Sequence, residues 1–148
     1  MIAYIFCNQS LLIFSIPFRI KTCASATGSE ERKKSALQVA FSAYNSLPSA
    51  GLRAESITYI SMFHAMINLM EDSPEKVTAI ANIFQQCCDD GCLNQHMINI
   101  LAGAMSAGDF LSITGVSSNK NTAQMKNLPA KWSQRSSDDN GANTELFF

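Results

Sequence analysis

Three thiols and an imidazole crowd one short stretch of the chain: Cys87, Cys88, Cys92 and His96. Thiolates and imidazoles are zinc ligands, so a metal centre is the first chemistry to weigh. A structural zinc site draws two knuckle-like ligand pairs from separate elements, and no second pair accompanies these residues. Cys88, Cys92 and His96 would share a helical face only if a helix ran through Asp89-Asp90-Gly91, where glycine ends a helix instead. The cysteines read as small, buried or half-buried thiols at a helix end, and no metal is expected. With Cys7 and Cys23 the count is five, two of them adjacent, a poor disulfide framework that fits a reducing compartment.

Few other groups could carry a reaction. The paired carboxylates Asp89-Asp90 and Asp138-Asp139 fall at a helix end and in a polar stretch, as solvated charge, whereas catalytic carboxylates need burial to be tuned. His64 lies between Phe63 and Ala65 with no carboxylate or cysteine at helical reach, and reads as a structural histidine. No GxSxG, HExxH, Walker-type or GxGxxG motif is present. No catalytic residue, cofactor or small-molecule substrate is therefore expected.

The elements that must position these residues follow from composition and period. The 148 residues are one domain's worth of chain, 47% hydrophobic and 16% charged, so a packed core is within reach and a wholly disordered chain is excluded. A net charge of −1 argues against a binder driven by bulk charge. Met1 to Phe18 carry no charge, and Arg19, Lys21 and a small-residue stretch follow. This segment, residues 1–29, reads as an organellar transit peptide or a gene-model artefact ahead of a secretory signal or membrane anchor. The Asn8-Gln9-Ser10 glycosylation triplet inside it carries little weight.

Helical period runs from Glu30 to about Met105. The spacing of Leu37, Ala40, Phe41, Tyr44 and Leu47 predicts a helix over Glu30–Leu47, closed by Pro48 and Gly51. A second helix, Ser56–Met70, carries two adjoining apolar stripes that include Ile60, Phe63, Met62 and Met66, so it is expected to pack on both sides. Ser73-Pro74-Glu75 is a cap, a first-turn proline and a dipole-favoured acid, opening a third helix to Asp89 or Asp90. A weaker fourth covers Gln95–Met105. From residue 109 to 148 a polar tail is expected, with a possible short anchor over Leu128–Trp132.

Gly51 and Gly91 each follow a helix and precede a connector into the next, 40 positions apart, which suits a helix-pair solenoid repeat. The stretch ALQVAFSAYNSLPSAGLRAESITY, continued by ISMFHAMINLM and IANIFQQCCDDGCLNQ, resembles the pentatricopeptide repeat family over residues 34–102. The resemblance implies an all-α fold, a short right-handed solenoid of helical hairpins over 30–108 with a disordered C-terminal tail. It also implies single-stranded RNA as partner, contacted through Gln95, Arg53 and Asn94, in a mitochondrion or plastid. The family's two base-reading positions fall on Ile60 and Gln95; Gln95 can hydrogen-bond a base edge and Ile60 has no polar group to do so. The unit is about five residues longer than usual, and Ala54 and Asn94 stand where the connector proline would be.

Charge pulls the other way, because residues 30–108 carry a net −3 while phosphate attraction supplies most non-specific affinity for RNA. The alternative is a tetratricopeptide-like protein-binding scaffold. Fewer than two whole repeats leave a stack with open ends, so a longer array or a partner chain is expected.

Overall fold

The computed structural model describes residues 16–119 and 123–135. Cys7, the Asn8 triplet and Asp138-Asp139 lie outside the described residues. Every regular element among the described residues is helical, as expected, and none is a strand. The chain divides into two compact units, Met1–Asp72 and Ser73–Phe148, a break inside the 30–108 stretch expected as one repeat domain.

The first unit holds α1 (residues 16–24), α2 (Glu30–Asn45) and α3 (Ser56–Leu69). Ile16, Ile20 and Ala24 recur at four-residue steps along α1, and all three are buried. The second half of the expected targeting segment is thus a helix with a packed face. The Asn68 side chain donates to the Ala24 carbonyl at 3.3 Å, tying α3 to one of the orphan acceptors at the end of α1. No helix among the described residues is long and apolar enough to cross a membrane.

Ser29 caps α2 by accepting from the Arg32 amide at 3.3 Å, with Glu30 and Glu31 in the first turn against the positive end of the dipole. The buried face of α2 is small, Ala40 and Ala43, and α3 packs along it. Tyr44 and Tyr59 meet edge to face there, centroids 6.0 Å apart. Nine of the fourteen residues of α3 are buried, which is what two adjoining apolar stripes require. The helix therefore also buries Ser61, whose hydroxyl has no hydrogen-bond partner.

The second unit holds α4 (Pro74–Asp89), α5 (Gln95–Ala104) and α6 (Ala107–Thr114). Ser73 caps α4 as its sequence predicts, accepting from the Lys76 amide at 3.2 Å. Against expectation, the chain past residue 108 does not dissolve into a tail throughout its described part. Ser106 accepts from the Asp109 amide at 3.2 Å and donates to the Asp109 carboxylate at 2.8 Å, a cap that starts α6. Phe110 is fully buried, α6 packs on α4 and α5, and Gly115 stops it in the left-handed region. Residues 123–135 then form a strap with two 3₁₀ turns, Met125–Asn127 and Ala130–Ser133, the second lying on α4.

The two glycine corners share one hydrogen-bond pattern. At φ 71° and 69°, Gly51 and Gly91 each sit one residue before an amide that reaches back five positions. Leu52 donates to the Leu47 carbonyl at 2.9 Å and Cys92 to the Cys87 carbonyl at 3.0 Å, the long bond of a Schellman closure. The corners then diverge: α3 begins five residues after its glycine, α5 four after its own.

Candidate functional site

The residues that the sequence nominates for binding separate between the units. Arg53 belongs to the first, exposed in the connector between α2 and α3. Asn94 and Gln95 belong to the second, side by side at the start of α5. Ile60 is fully buried and belongs to the core of α3.

Asn94 is the N-cap of α5, its side-chain oxygen accepting from the Met97 amide at 3.0 Å. That role explains why an asparagine follows the glycine corner: it satisfies one of the donors that a helix start leaves unpaired. Gln95 turns its carboxamide onto the strap. Nε2 donates to the Ala123 carbonyl at 2.9 Å and to Asn99 Oδ1 at 3.0 Å, and Oε1 accepts from the Met125 amide at 3.0 Å. Both ends of the group expected to read a base edge are occupied by the protein's own backbone.

Gly91 is where the strap comes closest to the corner. A Cβ there would stand 3.3 Å from the Lys131 carbonyl oxygen and 3.4 Å from the Arg135 nitrogen. Glycine thus provides both the left-handed turn and the space for the approach. Two backbone bonds of 2.8 Å close it, from the Leu93 amide to the Trp132 carbonyl and from the Arg135 amide to the Gly91 carbonyl. Leu128 is buried, and Trp132 sets its ring edge-on to Phe84 with centroids 5.8 Å apart. The short anchor expected over Leu128–Trp132 is therefore present.

Behind this face lie the three cysteines, all buried. Cys87 reaches the Met97 sulfur at 3.5 Å, and Cys92 the Asp90 carbonyl at 3.7 Å. Burial pushes the Cys87 thiol far up, with the neighbouring thiols Cys88 and Cys92 and the Asp90 carboxylate adding to it. Burial and then the Asp89 carboxylate push Cys88 up to about 12. At neutral pH both are protonated, so neither thiol is poised as a nucleophile and both serve as packing atoms. Among the described residues no three histidine, cysteine or acidic side chains converge so as to hold a metal ion. Asp89 is exposed, and its carboxylate accepts from the Gln85 side-chain Nε2 at 2.9 Å.

No family model matches the chain, and neither a curated protein nor a solved structure does. What the corner can do is accordingly read from its own groups.

Sequence reasoning missed Gly91 as a contact surface and Gln95 as a backbone clamp. The signals for the strap were thin: one aromatic, one leucine and no period. For α6 the signal was present in Ser106-x-x-Asp109 ahead of Phe110-Leu111.

Proposed function

We propose that this protein is a non-catalytic helical-repeat module that binds another protein, a scaffold of the helical-hairpin solenoid type. The observation that carries the reading is the use of the expected base-reading groups inside the fold. Ile60 is fully buried, Asn94 caps α5, and the Gln95 carboxamide bonds the strap backbone through both its nitrogen and its oxygen. A base would have to displace those bonds and leave buried or half-buried backbone groups unpaired. The net −3 of residues 30–108 adds to this, since it repels a polyanion.

A second reading, RNA binding in a mitochondrion or plastid, is favoured by the exposure of Arg53, Lys126 and Lys131. It would act through phosphate contacts, with base reading left to other residues. Titration of the full chain against fluorescent single-stranded RNA at several salt concentrations separates the two. The scaffold reading expects no saturable binding at low ionic strength. An affinity that falls steeply with the logarithm of salt concentration overturns it in favour of RNA.

A further inference from the structure

The strap is held by the corner in the way that a binding site holds a foreign peptide. Its contacts are of two kinds. Backbone contacts fix the chain at both ends: Gln95 grips the Ala123 carbonyl and the Met125 amide, and the corner bonds Trp132 and Arg135 through main-chain groups of Leu93 and Gly91. None of these depends on which side chains the strap carries. The side-chain contacts are those of buried Leu128, of Trp132 four positions on against Phe84, and of Arg135, whose Nη1 donates to the Asp90 carbonyl at 3.5 Å. Main-chain bonds for affinity and spaced side-chain anchors for specificity divide the labour as in peptide recognition, here on a segment that winds through 3₁₀ turns at Met125–Asn127 and Ala130–Ser133.

We infer that the corner of α4 and α5 is a peptide-docking face and that the strap is its resident occupant in cis. The partner it takes is a protein segment able to wind into a 3₁₀ turn, bearing a large aliphatic residue four positions ahead of an aromatic one. This rests on the protein-binding reading above and names its site. Eight residues, 115–122, separate the strap from Thr114, the last residue of α6. A short tether of that length presents its ligand at an effective concentration on the order of millimolar, so an incoming segment binds well only where the strap is weakened.

The test uses the full chain and a labelled peptide with the sequence of residues 123–135. Trp132→Ala weakens the strap in cis without touching Gln95, Gly91 or Phe84, and is expected to bind the peptide at least tenfold more tightly than the parent chain by fluorescence anisotropy. Trp132 is the only tryptophan, so its emission reports the strap directly. Excess peptide carrying phenylalanine in place of tryptophan is expected to shift the parent chain's emission to the red while the helical circular dichroism stays constant.

Equal affinities with no emission shift overturn the inference. Loss of helical signal in Trp132→Ala overturns it too, because a displaceable strap leaves the corner folded. A concentration-dependent dimer of the parent chain would replace the partner segment by the strap of a second copy. If the peptide fails and RNA binding is also absent, only the docking face falls; salt-dependent RNA binding removes the protein-binding reading itself.

Discussion

A methyl group added at Gly91 tests the corner most sharply, because a matched control exists. Gly51 and Gly91 have nearly the same left-handed φ, 71° and 69°, but their surroundings differ. An alanine Cβ at Gly51 meets nothing within 4 Å, whereas at Gly91 it meets the Lys131 carbonyl oxygen at 3.3 Å and the Arg135 nitrogen at 3.4 Å. Gly51→Ala therefore carries only the cost of holding an L-residue in the left-handed region, about 1–2 kcal/mol. Gly91→Ala carries that cost and must also move strap backbone. The two 2.8 Å bonds beside it are strained or lost, and each is worth about 0.5–1.5 kcal/mol net.

The expected total at Gly91 is about 2–5 kcal/mol against about 1–2 at Gly51. With a urea slope of roughly 1 kcal/mol per M for a small unit, the excess is a further lowering of the midpoint by about 1–3 M. Urea titrations followed by circular dichroism and by Trp132 emission measure it. Only Gly91→Ala should shift Trp132 toward solvent before the main transition. Equal midpoints for the two variants, or a Trp132 signal that never separates from the helical one, would refute the placement of the strap on Gly91.

Three other outcomes follow from the packing. Asn94→Ala removes the cap on α5 and should destabilise the second unit by about 1 kcal/mol in the same titration, while Asn94→Asp should retain most of the loss-free behaviour. Ser61→Ala should be neutral or stabilising by up to about 1 kcal/mol, since the buried hydroxyl it removes has no partner; a clear loss of stability would reveal one. Stability should fall with rising pH above the ordinary thiol range. Cys88 titrates near 12 in the fold against 9.0 when free, and Cys87 is raised further, so the unfolded chain releases thiol protons that the folded one keeps. That contribution is whole below about pH 9 and is lost as pH climbs toward the folded values. Cys88→Ala with Cys87→Ala should flatten the alkaline slope in pH-dependent melts.

The helices that hold the corner were legible because each is announced by local chemistry. Ser73-Pro74-Glu75 fixed the start of α4 to the residue, and the apolar stripes of α3 foretold burial on several sides, as nine buried residues show. Glycines at 51 and 91 marked the two Schellman corners, since only a residue without a Cβ enters the left-handed region freely. The α1 face was legible in principle from Ile16, Ile20 and Ala24, but lay inside an apolar stretch whose composition speaks for targeting as readily as for packing. The strap was illegible for a different reason. Leu128 and Trp132 are too few to set a period, and its fixed points are backbone groups, which leave no trace in sequence. The same cause accounts for Gln95. Its position relative to the repeat suggested a group free to meet a base, while its partners stand 28 and 30 residues along the chain and are main-chain atoms. Long-range contacts to backbone are the class of interaction that local pattern cannot register, and at this corner they are what fixes the strap.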